Sequence, residues 1–185
     1  MCLATLRAGV HMNYKMLCVV GAVALAGSSW AEAQAPSSAD QAFVMKVGQG
    51  GMAEVALGTL AVEKGANKDI KGFGQRMIDE HGKAGAELKA IAQTKNIPWP
   101  DAPSAESKAL QDRLAKLTGD AFDRAYIDAM VSAHRGTVAT FQTELQTGTD
   151  AEVKAWATKT LPTVQAHLTH AQQVHQSIAG SHTTH

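Results

Sequence analysis

The sequence predicts an all-α protein, a four-helix bundle in which one long crossover connection contains a short helix. Apolar residues recur at helical spacing over four stretches of about 27 residues each, and no stretch sustains an alternation between apolar and polar residues. Breaks rich in glycine or proline separate the stretches. A helix of that length spans roughly 40 Å, and four such helices bury their apolar faces by packing side by side.

Five helices are predicted in chain order. The first begins at Ser38, where residues 38–41 (Ser-Ala-Asp-Gln) have the form of a capping box. Its middle contains Gly-Gln-Gly-Gly at 48–51, which we interpret as a place where two helices approach closely, because glycine otherwise costs a helix roughly 1 kcal/mol against alanine. The predicted helices cover about 38–64, 68–95, 105–117, 120–146 and 150–178.

Each later helix has its own start or stop signal. Asn67 caps the second helix, and three prolines within 96–103 end it. Ser104 caps the short helix, and a second capping box at 149–152 opens the last helix, in which Pro162 predicts a kink.

Connection lengths predict the helix directions. The first two long helices, and likewise the last two, are joined by a few residues, so each pair forms an antiparallel hairpin. The connection between the pairs has about 23 residues, enough to travel the length of the bundle and leave the second and third long helices parallel. This up-down-down-up order with one crossover occurs in ferritin-like folds.

The N-terminus has the pattern of a secretory signal peptide. A basic start with Arg7 and Lys15 precedes an apolar run of about eleven residues, and an Ala-Glu-Ala cleavage pattern ends at Ala33. We therefore predict a signal peptide at 1–33, from a start at Met1 or Met12, a bundle domain at 34–180, a disordered tail at 181–185, and a periplasmic or secreted location.

The mature chain would then have no thiol, since Cys2 and Cys18 lie in the signal peptide, and no membrane-spanning stretch. Seventeen basic and 17 acidic side chains balance, which argues against a nucleic-acid partner. The sequence identifies no partner and leaves a homo-oligomer open.

Four polar residues interrupt the apolar helix faces near mid-length, one on each long helix: Glu54, His81, His134 and His167. Two of them end matching motifs, aromatic-x-x-x-Met-x-x-x-His, with Met77 before His81 and Met130 before His134. Because residues at mid-length share a depth whichever way a helix runs, we expect all four in one buried layer.

A buried layer of this kind needs compensation for lost hydration. One explanation is a hydrogen-bond network in which Glu54 accepts from a histidine and Tyr126 or a water completes the set, and the sequence interpretation favours it. The other is one transition-metal ion: imidazole and carboxylate suit zinc, iron or copper(II), and Met77 and Met130 would favour copper(I). The candidate metal ligands are Glu54, His81, His134 and His167.

Catalytic patterns are missing from the sequence. A ferritin-type di-iron centre needs Glu three residues before its histidines, but Ile78, Val131 and Val164 occupy those positions. We therefore expect a non-enzymatic protein of unknown role. The alternatives are a mononuclear copper, zinc or iron binding or sensing protein, and a metal-dependent oxidoreductase, which requires an open coordination position and a channel.

Other histidines and acids near the layer are interpreted as surface groups. Asp79 and Glu80 adjoin His81 and could orient its ring, but adjacent residues diverge by about 100° on a helix and Asp79 is expected to face water. His170 and His175 are expected to be exposed rather than to form a second metal site.

Several segments resemble domain-of-unknown-function family 4142, whose members are bacterial exported proteins of ferritin-like fold, often labelled predicted outer membrane proteins. The segments are 43–55, 77–83, 122–126, 130–134 and 160–168. The resemblance covers about 42–178 and implies the bundle and export, but no activity. Ala133 and Arg135 depart from the family, which usually has an acid and a lysine on either side of the second histidine.

Overall fold

The computed structural model describes residues 35–180. The predicted signal peptide with its two cysteines and the predicted tail lie outside the described residues. Within 35–180 the chain forms five α-helices and no strand, which confirms the all-α prediction and the short helix inside the crossover. The helices are α1 (Ser38–Lys64), α2 (Lys68–Thr94), α3 (Ala105–Ala115), α4 (Gly119–Thr147) and α5 (Ala151–Gly180).

Two of the predicted capping residues are wrong by one position. The cap of α1 is Ser37 rather than Ser38: its hydroxyl accepts from the Asp40 amide at 3.2 Å, and the Asp40 carboxylate accepts from the Ser37 amide at 2.7 Å. The Asp40 carboxylate lies at the third helical position, where it can accept the hydrogen bond from the Ser37 amide. The capping box therefore consists of Ser37 and Asp40. The cap of α5 is Asp150, not Thr149.

The closest approach of α1 and α2 occurs at Gly58 and Gly74. A Cβ built on Gly58 would lie 2.6 Å from the Gly74 carbonyl oxygen, and one built on Gly74 would lie 2.7 Å from the Gly58 carbonyl oxygen. A side chain at either position would force the helices apart, so this contact depends on glycine.

The predicted close approach at 48–51 is largely wrong. Gly48 does pack tightly, but against Pro100 and Trp99 of the link after α2 rather than against a helix. Gly50 and Gly51 have nothing within 4 Å of a built Cβ, so helix packing does not account for them.

Two buried carboxylates fix the ends of α1 against α4. Asp40, in the first turn of α1, accepts a hydrogen bond from the Thr149 amide in the α4–α5 link at 3.0 Å. Asp123, in the first turns of α4, accepts from the Asn67 amide in the α1–α2 link at 2.7 Å. Because each helix start binds the link beyond the other helix's end, α1 and α4 are antiparallel and their register is fixed.

The helices α2 and α5 are also antiparallel. At one end the Lys95 ammonium lies 3.0 Å from the Asp150 carboxylate, and towards the middle the Lys159 ammonium lies 3.1 Å from Glu87. Since α1 opposes both α2 and α4, these two helices run in the same direction, as the crossover length predicts. Pro162 lies inside α5, which continues to Gly180.

The apolar core has two clusters. One contains Met77, Met130 and Ala171, and the other contains Leu88, Phe141 and Val164. The predicted histidine positions fall between these two sets along α2, α4 and α5. None of the helices within 35–180 combines the length and apolarity needed to cross a membrane.

The glycine contact between α1 and α2 predicts opposite effects of alanine at two neighbouring positions of α2. Gly74→Ala should lower the free energy of unfolding by about 1–3 kcal/mol, because the added methyl meets backbone of α1. Gly72→Ala, exposed and with nothing within 4 Å, should raise it by up to about 1 kcal/mol through helix propensity. Chemical denaturation followed by circular dichroism measures both, and equal effects would contradict the close approach.

Candidate metal centre

Three imidazoles from three helices meet between the two apolar clusters. The ring centroids of His81 on α2, His134 on α4 and His167 on α5 are 5.1–5.6 Å apart. One ligand nitrogen from each ring lies within 4.8 Å of the other two. The expected common depth of the three histidines is therefore found. His134 and His167 are buried, whereas His81 is partly exposed.

In two of the rings, one nitrogen donates a hydrogen bond to an oxygen acceptor. His134 Nδ1 lies 2.9 Å from the Met130 carbonyl oxygen, and because a carbonyl only accepts, Nδ1 carries the proton. His167 Nε2 lies 2.6 Å from Glu80 Oε2 and donates to that carboxylate. The tautomers leave a lone pair on His134 Nε2 and on His167 Nδ1.

One nitrogen of each ring is buried and has no partner. His134 Nε2, His167 Nδ1 and His81 Nε2 are buried, and none of them has a hydrogen-bond partner among the described residues. Burial lowers the pKa of His81 to about 3 and of His134 to about 4, and it also lowers the pKa of His167. All three rings are therefore neutral at pH 7, the form in which imidazole binds a metal.

Glu80 belongs to the site through a contact that the sequence did not predict: the sequence suggested an acid that orients His81, whereas Glu80 binds His167. Its carboxylate joins His167 to Arg76, whose Nε lies 2.8 Å from Glu80 Oε1. Burial alone would raise the pKa of Glu80, but hydrogen bonds from Arg76 and His167 outweigh it and lower that pKa. The four-residue spacing of Arg76 and Glu80 is visible in the sequence, but their reach to α5 is not. Asp79 faces solvent, as expected.

Glu54 lies beside the histidines rather than among them. Its Oε1 is 3.9 Å from His134 Nδ1, too far for a hydrogen bond, and its Oε2 has no partner. Of the four predicted ligands, the structure gathers His81, His134 and His167 and leaves Glu54 outside that group. Burial raises the pKa of Glu54 to about 8.

The direct hydrogen bonds of the predicted network do not form among the described side chains. The hydroxyl of Tyr126 has no partner, the nearest Glu54 oxygen is beyond hydrogen-bond distance from His134 Nδ1, and three ring nitrogens are unpartnered. The other two histidines of α5 do not form a second group within 35–180. His175 is exposed and pairs with Asp128 at 2.9 Å, while His170 is half-buried against Phe73.

A cavity of about 430 Å³ lies beside His81 and His167. Glu54, Glu80, His81 and His167 contribute to its wall, and the remaining wall comes from all five helices. Two of the three histidines therefore border the cavity.

Comparison with known proteins gives a family and a fold. A family model described as "Domain of unknown function (DUF4142)" matches residues 26–174. No curated protein matches the chain in sequence.

Two solved structures are similar to this one. A crystal structure of a DUF305 fragment from Deinococcus radiodurans has a TM-score of 0.69 at 16% identity, covering 78% of this chain and 99% of that one. The protein CopM in its Cu(I)-bound form has a TM-score of 0.62 at 18% identity, covering 75% of this chain and 96% of that one. At these identities the similarity concerns the fold.

The buried carboxyl of Glu54 predicts a pH-dependent difference between the chain and its Glu54→Gln variant. In the metal-free fold Glu54 keeps its proton up to about pH 8, whereas the unfolded chain loses it near 4.5, so the free energy of unfolding falls as the pH rises between these values. The variant has no proton to lose. The stability difference should therefore shift in its favour by on the order of a few kcal/mol between pH 5 and pH 9.

Urea denaturation with a chelator present, repeated across that pH range, measures the difference. Below the ordinary pKa of histidine, the buried histidines lower the free energy of unfolding of both proteins by the same amount. Their contribution therefore cancels in the stability difference. A difference that stays constant with pH would show that Glu54 is not a buried, neutral acid.

Proposed function

The chain belongs to the family described as a domain of unknown function (DUF4142), and we propose that this member binds a single transition-metal ion through His81, His134 and His167. One observation carries the proposal: three neutral imidazoles from three helices each place a ligand nitrogen within 4.8 Å of the other two, and each ring has one buried nitrogen without a hydrogen-bond partner. Leaving three such groups unpaired costs several kcal/mol in total, and a bound cation removes that cost.

The spacing suits a small ion after a modest adjustment. Tetrahedral coordination at about 2.0–2.1 Å places ligand nitrogens about 3.3 Å apart, so rings now within 4.8 Å would move inwards by about an ångström. Three protein ligands leave one coordination position to a water or another molecule, as in open sites.

Glu80 supports the same proposal from outside the triad. By accepting the Nε2 proton of His167, Glu80 fixes the tautomer that directs Nδ1 inwards. A carboxylate behind a ligating histidine raises its basicity and orients its ring. Arg76 neutralises Glu80 and holds it in place.

Imidazole ligands fit copper, zinc and iron. Copper is the first metal to test, because CopM shares the fold and its structure is Cu(I)-bound. Met77 and Met130, one turn before two of the histidines, supply the soft thioethers that copper(I) prefers. Glu54 lies outside the triad and stays a candidate for a further ligand.

We also propose that the helices form a ferritin-like four-helix bundle, and that removal of 1–33 delivers it to the periplasm or the outside of the cell. In that setting the protein would hold or sense metal rather than catalyse a reaction. A metal-dependent oxidoreductase is the second candidate, favoured by the cavity that His81 and His167 line.

Metal reconstitution tests the site. Chelated protein, reloaded with copper(I) or with zinc and then desalted, should retain one ion per chain by elemental analysis. His81→Asn, His134→Asn and His167→Asn should each weaken binding by more than the roughly 10–100-fold that losing an outer partner costs. His175→Asn is the matched control, because that histidine is exposed and lies outside the triad.

Two outcomes would contradict the proposal. One is retention well below one ion per chain with every metal tried. The other is an equal loss of binding in His175→Asn and in the triad variants, which would place the metal on the surface.

A further inference from the structure

The cavity beside the histidines is far larger than a metal ion requires. Its volume of about 430 Å³ falls within the roughly 300–1,000 Å³ typical of small-molecule sites. We propose that it binds a small, elongated amphipathic molecule, with a metal-coordinating head group at His81 and His167 and an apolar body towards Trp156. The position of the head group rests on the proposed metal site, whereas the body depends on the cavity alone.

The cavity is long. His167 and Trp156 both line it, and they lie eleven positions apart on α5, about 16 Å along the helix. On α2 it extends from His81 to Leu88, about 10 Å. A bound water or a simple anion would fill only the histidine end.

The two ends differ in polarity. At the histidine end the wall includes the carboxyl groups of Glu54 and Glu80. At the other end the wall includes Leu88, Phe141 and Trp156, which belong to one apolar cluster, and the small polar side chains of Thr140 and Thr160 near them in the sequence. Polar atoms at one end and apolar side chains at the other match a molecule with a head group and a hydrocarbon body.

Four residues that line the cavity each have a buried polar atom without a hydrogen-bond partner. Trp156 is 5% exposed, and its indole nitrogen has no hydrogen-bond partner. At the other end Glu54 Oε2, His81 Nε2 and His167 Nδ1 are unpartnered. A metal ion at the triad would engage the two histidine nitrogens, which leaves Trp156 Nε1 and Glu54 Oε2 as buried polar atoms without a partner in residues that line the cavity. Buried polar atoms are nearly always satisfied in folded proteins, and a bound molecule that reaches these two atoms would satisfy them.

Four helical glycines leave space in the cavity because they have no side chain to project into it. Gly50, Gly51, Gly85 and Gly136 line the cavity, and a Cβ built on any of them meets nothing within 4 Å. Each costs its helix about 1 kcal/mol against alanine. Close packing explains Gly58 but not these four, and a side chain at any of them would take up cavity space.

Hydroxamates of two lengths test the inference on zinc-loaded protein. Acetohydroxamate supplies the head group alone, and octanohydroxamate adds an apolar body. Binding is followed by NMR through the indole N–H resonance of Trp156, which is assigned by its loss in Trp156→Phe. Octanohydroxamate should shift it and bind at least about 10-fold more tightly than acetohydroxamate, since each buried methylene contributes about 0.8 kcal/mol.

Matched glycine variants then locate the body. Gly85→Leu fills the cavity and should abolish the preference for the longer probe, while Gly82→Leu, on the exposed face of the same helix and outside the cavity, should preserve it. Gly50→Leu repeats the test from α1 should Gly85→Leu lose zinc or fail to fold.

The outcomes separate the two proposals. Zinc binding with no preference for the longer probe, or equal behaviour of Gly85→Leu and Gly82→Leu, overturns the cavity inference and leaves the metal site standing. If no zinc binds, the metal proposal fails, and octanohydroxamate is titrated into metal-free protein. A Trp156 shift that Gly85→Leu abolishes then supports the cavity inference, and the lack of a shift overturns it.

Discussion

The register between α1 and α4 is the constraint on which the site depends. Asp40 and Asp123 each accept amide hydrogen bonds from the link beyond the partner helix, so the two helices are pinned at both ends. Charge-assisted hydrogen bonds of this kind are short and strong, and a one-residue slip would break them at both ends together. Short links join α2 to α1 and α5 to α4. The hydrogen bonds of Asp40 and Asp123 therefore also set the depth at which His81, His134 and His167 meet.

Polar groups at that depth divide the core into two apolar clusters. A continuous apolar core would be more stable, because neutral imidazoles without partners gain little from burial. Met130 and Glu80 each accept a hydrogen bond from one nitrogen of a ring, and the other nitrogens of these two rings, with one of His81, have no partner among the described residues. The metal proposal accounts for these nitrogens, because a bound cation would engage them.

The sequence predicts the helices well because their signals are local: apolar periodicity, prolines at 96–103 and capping residues such as Asn67 and Ser104. The shared depth of the histidines also follows, since mid-length positions coincide in helices of similar length. Contacts between helices are harder to predict from the sequence. The sequence does not show that Glu80 reaches His167 rather than its neighbour His81, because one step along a helix rotates a side chain by about 100°. Nor does it show which glycines face a helix, as Gly58 does, and which face a cavity, as Gly50 does.

Anomalous diffraction from crystals of the metal-loaded protein tests the central claim most directly. Data collected on either side of the metal's absorption edge should show one peak per chain, about 2 Å from a nitrogen of each of His81, His134 and His167. A peak on exposed histidines such as His175, or no peak between the three rings, would contradict it.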